Sequence, residues 1–361
     1  MTLTTEDPYN VLMAGLKYPD SHRLKAVLEK LLTPEQARIA AALPGTPEDV
    51  AQKTGIDAKT VNKALDDLFY AGVVFPKGDF KDRQYYRFAR AIAQLHDASQ
   101  ASKGRDVVKD KDFYQAWQDF LMNEWYPDRG KLYAKLPQPH SRIVPAYQAI
   151  KEIPDILPCE DIRELFKAQG RMAVVPCSCR YRTTAVGEHC AHTAEEDLWH
   201  CIQLNRGADY ALAREAGREL NMEEAVALID KIEADGLLHI WGNHNALAGG
   251  NVSCHCCRDC CMMTVPLDME NVPLDKMWQK SRFIAQVDQE ACIGCQACVD
   301  RCQFDAIEMV KPQGLKSKKL KAKVMAEDCY GCGVCVLGCD KAHALSMKLV
   351  RPPDHIPAQE G

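Results

Sequence analysis

The chain has 361 residues, 47% of them hydrophobic and 26% charged, with a net charge of −5. That length gives room for two or three domains with proper cores, and the balance excludes a fibre, a disordered chain and a general coat for nucleic acid or anionic membrane. No apolar run approaches the ~18 residues of a spanning helix, and Met1 to Asn10 lacks the basic and apolar regions of a secretory signal, so the expected location is the cytoplasm.

Taken from the amino terminus, Thr46 precedes Pro47 as a helix cap, Gly55 interrupts, and Asp57 caps a second helix with Val61, Leu65 and Leu68 on one face. Beyond Gly72, Val73 to Phe75 and Gln84 to Phe88 read as the strands of a hairpin about Lys77-Gly78-Asp79. Helix, turn, helix, hairpin resembles a winged helix-turn-helix, and residues 1–100 are expected to form that domain. From Lys109 to Pro127 the side chains Phe113, Trp117, Phe120, Leu121 and Trp125 share a helical face, which reads as a core stripe. Pro137, Pro139, Pro145, Pro154 and Pro158 then punctuate a stretch expected to wrap the surface as a linker. Residues 101–170 thus read as a helical and Pro-rich connector.

All 18 cysteines lie at or beyond Cys159. In a chain without a secretory signal so dense a set suits metal ligation better than disulfides. Met172 to Val175 reads as a strand delivering Cys177 and Cys179, and Asn221 with Glu224 opens a helix carrying Ala225, Leu228, Ile229 and Ile232 that stops at Gly236. Residues 171–280 are expected to be a cysteine-rich helical domain. Its nine candidate ligands are Cys177, Cys179, Cys190, Cys201, Cys254, Cys256, Cys257, Cys260 and Cys261. Five thiols within the eight residues from Cys254 to Cys261 exceed the four ligands of one zinc ion. The adjacent pairs Cys256/Cys257 and Cys260/Cys261 could therefore serve two sites at once, with the other four completing the sets. Arg180, Arg182 and Arg258 would offset charge beside them. His189, His192, His200 and His255 read as surface or supporting groups rather than ligands, and Cys159 as a buried or incidental thiol.

The most informative feature is a repeat. Cys292, Cys295, Cys298 and Cys302 are spaced x2, x2, x3, and Cys329, Cys332, Cys335 and Cys339 repeat the spacing. Three thiolates two residues apart can wrap one cubane cluster from a tight loop. Two zinc sites would use the same eight thiolates, although zinc pairs usually stand further apart. The segment resembles the bacterial two-[4Fe-4S] ferredoxin module, expected over residues 281–361 with a tail. The resemblance implies that each motif lends its last cysteine to the other cluster, giving Cys292, Cys295, Cys298 with Cys339, and Cys329, Cys332, Cys335 with Cys302. Phe283 to Val287 and Ala306 to Val310 would be its strands, and Gly294 and Gly331 would let backbone approach sulfide. Gln303 and Asp340 stand where proline usually follows the fourth cysteine, so looser turns are expected.

From Pro176-Cys177-Ser178-Cys179-Arg180, through Asn221 to Glu224 and Gly236 to His239, to the dense block, the middle region resembles poorly characterised anaerobe proteins described as 4Fe-4S binding. In their Cys-Asn-Cys-Cys motif His255 here replaces the asparagine. The resemblance implies one or two further iron–sulfur clusters, with zinc or a redox dithiol as the alternatives.

The expected fold is α+β and multidomain: a winged-helix-like domain, a cysteine-rich helical middle and a ferredoxin-like module. The expected function is electron transfer, as a subunit or partner of an anaerobic cytoplasmic oxidoreductase. No dinucleotide fingerprint, phosphate loop or nucleophile elbow supplies a substrate site, and no catalytic residue is assigned. One alternative is a cluster-bearing transcription regulator reading DNA with Ala58 to Ala71, which exposes Lys59, Thr60, Asn62 and Lys63. Thr33 to Arg90 carries nine Lys and Arg against eight Asp and Glu, short of a basic footprint, so protein docking is preferred to DNA. A weaker alternative is a reductase with its own cysteine-dense centre. Lys311 to Lys323, with Lys311, Lys316, Lys318, Lys319, Lys321 and Lys323 and no acid, reads as a solvated hairpin tip or a docking patch for an acidic partner.

Overall fold

The amino-terminal unit is helical because its caps and apolar faces agree. The computed structural model describes residues 7–194, 197–312 and 319–359. It begins with α1 (Pro8–Gly15), α2 (His22–Leu31), α3 (Pro34–Ala41), α4 (Pro47–Thr54) and α5 (Ala58–Tyr70). Thr33 and Thr46 close capping boxes with Gln36 and Asp49, Gly55 ends α4 at a φ of 70°, and Asp57 caps α5. β1 (Val74–Pro76) pairs antiparallel with β2 (Tyr86–Phe88).

Next come α6 (Ile92–Gln100) and α7 (Lys111–Phe120), which runs through a π turn (Leu121–Trp125) into α8 (Tyr126–Tyr133). The aromatic stripe is core: Phe113, Trp117, Phe120, Leu121 and Trp125 are buried in one cluster with Leu24, Leu28, Leu65 and Phe69. Tyr126, also buried, accepts a 3.0 Å hydrogen bond from Arg182 of the next unit.

The middle unit is a seven-stranded sheet rather than the helical domain expected. Its strands are β3 (Ser141–Val144), β4 (Met172–Val175), β5 (Cys201–Leu204), β6 (Arg218–Leu220), β7 (Leu238–Gly242), β8 (Val252–Cys256) and β9 (Trp278–Gln279), in the order β6-β4-β5-β8-β7-β3-β9. Only β3 with β9 is parallel. Strands this short give too few alternations to be read in a sequence. The Pro-rich stretch is corrected too: β3 lies inside the sheet, with Ile143 and Val144 buried, because Pro139 and Pro145 flank the strand without interrupting it. Around the sheet lie α9 (Tyr147–Ile150), α10 (Ile162–Lys167), α11 (Ser178–Val186), α12 (Arg206–Ala213), α13 (Met222–Ala234) and α14 (Val265–Met269). α11 packs on α6 and α7 and so ties the middle unit to the amino-terminal helices.

In the last unit β10 (Phe283–Val287) pairs antiparallel with β13 (Leu345–Leu349), and β11 (Ile307–Val310) with β12 (Lys321–Val324). The short helices α15 (Ala297–Asp300) and α16 (Val334–Leu337) sit inside the two cysteine motifs. This unit shares a core with the sheet, where Ile143, Ile240, Leu267 and Trp278 meet Phe283 and Val334. A buried ion pair, Arg282 to Glu160 at 2.8 Å, crosses the same boundary. Breaking one partner of such a pair strands a charge out of water, so it fixes the docking geometry more than it adds stability. Among the described residues no helix is long and apolar enough to cross a membrane.

Candidate metal centres

In the last unit the eight cysteines gather into two quartets. One cavity is lined by Cys292, Cys295, Cys298 and Cys339, another by Cys302, Cys329, Cys332 and Cys335. The last cysteine of each motif thus sits with the other motif's three. The backbone N–H of Ala306 donates to Cys302 Sγ at 3.3 Å, and that of Ala344 to Cys339 Sγ at 3.2 Å, both favouring the thiolate. Burial, reinforced by Cys292, Cys339 and Cys295, pushes the Cys298 thiol up to about 11. Burial with Cys329 and Cys302 beside it pushes Cys332 up to about 12. Thiols this close are costly as bare anions, and an iron–sulfur core supplies the compensating positive charge. The donor set and the shape of both cavities fit such a group.

Gly294 and Gly331 have φ of 74° and 69°, and a Cβ would lie 2.3 Å from Leu320 O or 2.1 Å from Phe283 O. Their freedom therefore admits a neighbouring strand's backbone, a constraint that the sulfide expectation had missed. The first quartet has an open edge: Cys295 is exposed, and Ile293 and Leu320 beside the cavity are 46% and 42% exposed.

The residue in place of proline is corrected in meaning. Gln303 is buried, donates from Nε2 to Gly236 O at 2.6 Å and accepts from Arg258 N at 2.8 Å. The turn is tied down, and it joins Cys302 directly to the loop bearing Cys257 and Cys260. Arg301 adds a staple, donating from Nε to Val334 O at 2.9 Å and from its two Nη atoms to Ala234 O and Glu233 O at 2.8 Å. The last carbonyls of α13 thus receive a cation, as a helix C-terminus favours. Asp340 is exposed.

The nine middle cysteines separate into two groups. Cys190, Cys257 and Cys260 meet with Asp259, and Cys190 Sγ lies 3.5 Å from Cys257 Sγ. In the second group the free thiols of Cys177 and Cys179 neighbour each other, and that of Cys256 neighbours those of Cys254 and Cys261. Cys179 also lies near Cys261, and Cys201 near Cys254 and Cys177. Members of each adjacent pair go to different groups, because β8 ends at Cys256 and the turn that follows sends Cys257 and Cys260 to one side and Cys261 to the other. Asp259 was not foreseen as a ligand; its position between Cys257 and Cys260 was the available signal.

Arg180 is buried between the groups, its Nη2 3.5 Å from Cys257 Sγ and 2.9 Å from His255 O. Arg182 turns instead to Tyr126, and Arg258 to Asp268 at 2.9 Å, so neither offsets sulfur charge as expected. His255 is not at the surface. It points off β8 opposite to Cys254 and Cys256, and its Nδ1 faces His239 Nδ1 at 2.8 Å, while His239 Nε2 meets Glu233 at 3.2 Å. One proton must be shared across the two rings for that contact to bond. His200 is buried between Asp197 and Asp235, His192 gives only its backbone N–H to Cys190 Sγ, and His189 is exposed. Cys159 is buried, its carbonyl accepting from Arg142 at 2.7 Å.

The basic stretch is less free than its sequence suggested: Lys321 is buried against the Cys292 carbonyl and Lys323 pairs with Glu308 at 3.0 Å, while Lys316 and Lys318 lie outside the described residues. Residues 291–342 match the 4Fe-4S dicluster domain family. No curated protein and no solved structure matches the chain. The matched segment and the cysteine content support an iron–sulfur electron-transfer protein.

Proposed function

We propose that the chain relays single electrons between a redox partner and a thiolate-rich centre in its own middle unit, as a subunit or partner of an oxidoreductase in an anaerobic cytoplasm. The observation that carries this is the hydrogen bond that Arg258 N donates to Gln303, which attaches the second quartet to the loop between Cys256 and Cys261. When bound, each [4Fe-4S] cluster supplies a one-electron couple tuned by hydrogen bonds and burial. Cys292, Cys295, Cys298 and Cys339 would hold the outer one, with Cys295, Ile293 and Leu320 offering a partner an apolar edge. Cys302, Cys329, Cys332 and Cys335 would hold the inner one against the sheet. Cys177, Cys179, Cys201, Cys254, Cys256 and Cys261 would hold a further iron–sulfur group.

The winged-helix-like unit fits docking better than reading DNA. Lys63 is paired with Asp67 at 3.0 Å, Thr60 is spent on Asp57 at 2.6 Å, and Asn62 on Ala58 O at 2.8 Å. The wing is held as well, since Arg206 donates to Pro76 O at 3.0 Å and Gly78 O at 2.9 Å.

The test is anaerobic purification of the full chain, iron and sulfide analysis, and a redox titration followed by electron paramagnetic resonance. The reading expects clearly more than the about eight irons of two clusters, with a reduced-state signal that Cys256→Ser removes while both ferredoxin-type signals stay. Eight irons with no third signal would defeat the relay.

A further inference from the structure

We infer that the two middle cysteine groups differ in kind, and that Cys190, Cys257, Cys260 and Asp259 hold a single zinc ion. The four ligand atoms all lie within 4.8 Å of one another, with 3.5 Å between Cys190 and Cys257 sulfurs. A tetrahedral ion with metal–sulfur bonds of about 2.3 Å sets its sulfurs about 3.8 Å apart. The ferredoxin-type quartets provide a standard inside the same molecule: among the described residues no three of their thiols close to within 4.8 Å, and neither do three of the six-cysteine group. Those sets are spaced for a larger group, and this one is spaced for one ion.

The surroundings are those of a built site. Cys190, Cys257 and Cys260 are 7%, 1% and 2% exposed. Arg180 Nη2 reaches Cys257 Sγ at 3.5 Å, Thr183 Oγ1 reaches Cys260 Sγ at 3.6 Å, and His192 N donates to Cys190 Sγ at 3.4 Å. Asp259 is oriented by Ala191 N, which donates to its Oδ2 at 3.1 Å. Three thiolates and a carboxylate leave a dication with excess negative charge, which the buried Arg180 guanidinium offsets. The other compact set, Asp197, His200 and Asp235, already holds the Lys231 ammonium between its carboxylates and carries no such inference.

This deepens the metal reading of the middle unit without depending on the ferredoxin-type clusters. The full chain purified anaerobically should contain about one zinc beside its iron. Cys257→Ser and, as a milder variant, Asp259→Ala should lower zinc at least fivefold, leaving sulfide and the ferredoxin-type signals in place. Grown on cobalt, the protein should show the visible bands of a tetrahedral cobalt–thiolate site, lost in Cys257→Ser and kept in the neighbouring Cys256→Ser. Loss of iron and sulfide together in Cys257→Ser would overturn the inference in favour of a cluster, and unchanged metal content in both variants would overturn it in favour of free thiols.

A separate observation lies at the seam between the amino-terminal helices and the sheet, where a cavity of about 400 Å³ is lined by Arg87, Arg90, Arg206 and Arg214. Among the described residues no carboxylate pairs with any of the four. Arg206 donates to the carbonyls of Pro76 and Gly78 and lies over Phe80, and Arg214 donates to the Ala98 carbonyl and meets Tyr210, over whose ring it lies. Arg214 is 2% exposed and its Nε has no partner. The one acid lining the cavity, Asp97, is engaged by Ser178 at 2.8 Å and His96 at 2.8 Å. This geometry points to a binding site for a small dianion, a phosphate or a dicarboxylate, since guanidinium forks match both. It adjoins the six-cysteine group, because Gln203 on its wall donates to Cys201 Sγ at 3.2 Å. Titration calorimetry of the full chain with inorganic phosphate and, separately, succinate decides the class. At least one should bind at micromolar strength, and Arg87→Gln with Arg90→Gln should weaken it about tenfold. Binding weaker than millimolar for both, or unchanged in the double variant, would overturn the site.

Discussion

The ferredoxin-type unit and the sheet unit use cysteine in opposite ways. In the former, six of eight thiols come from two loops of seven residues, and a helical turn inside each motif carries the remaining cysteine to the other loop's cavity. In the latter, one group draws on α11, β5, β8 and the turn after it, between Cys177 and Cys261. Local loops make a centre that tolerates change elsewhere. A centre gathered from a sheet depends on register, since a slip of one residue in β8 would exchange Cys254 and Cys256 for His255.

The largest effect that tests this contrast is the exchange of fourth cysteines. Cys339→Ser should remove the group held by Cys292, Cys295 and Cys298, and Cys302→Ser the other, each costing about four irons. Spectra in which each motif loses its own sequential group would break the contrast at its root. Next comes Gly331→Ala, which forces a methyl onto the Phe283 carbonyl at a left-handed φ and should cost more than about 3 kcal/mol, seen as lost iron and early unfolding of the last unit. Gly249→Ala, at a φ of 92° but in open space, should cost about 1 kcal/mol and keep all metal.

Gln303→Ala sharpens the comparison where the two units touch. It leaves Gly236 O and Arg258 N without their partner, so the urea midpoint should drop by the equivalent of about 1–3 kcal/mol at unchanged iron content. Internal electron transfer, followed by flash reduction, should slow. A normal rate would mean that the contact is only structural.

The smallest effect is a pH dependence in the amino-terminal unit, which contains no cysteine. Burial lowers the pKa of His96 from its usual 6.5, against the raising influence of Asp97. The unfolded chain therefore takes the proton first, so the stability contribution is complete above about pH 6.5 and is lost as pH falls toward the folded value. The melting temperature should decline on acidification through that window, and decline less in His96→Gln; identical profiles would exclude the imidazole as the cause.

Much of this was legible in the sequence where the signal is local. The caps at Thr46, Asp57 and Asn221 appear where their spacing placed them, and the strand before Cys177 is β4. The aromatic stripe was legible because a helix repeats its face every few residues. The sheet was not, because strands of two to five residues show no period, and β3 was hidden among prolines that only border it. Asp259 was passed over although it stands between Cys257 and Cys260, because a carboxylate there is as ordinary at an exposed turn as at a metal, and His239 because nothing near it in sequence marks an imidazole as facing another ring.

The sequence by itself determined that the last unit can hold two clusters, since x2, x2, x3 spacing fixes how far a short loop can reach around one. It also determined that five thiols from Cys254 to Cys261 exceed one ion's needs. Only the tertiary structure decided how those thiols divide. Side-chain direction at Cys256 and Cys257 depends on where β8 stops, and β8 stops at Cys256, where its pairing with β7 ends. It alone decided, too, that Gln303 is a joint rather than a loose turn, because its partners, Gly236 and Arg258, lie on chain segments that only the packing of two units brings together.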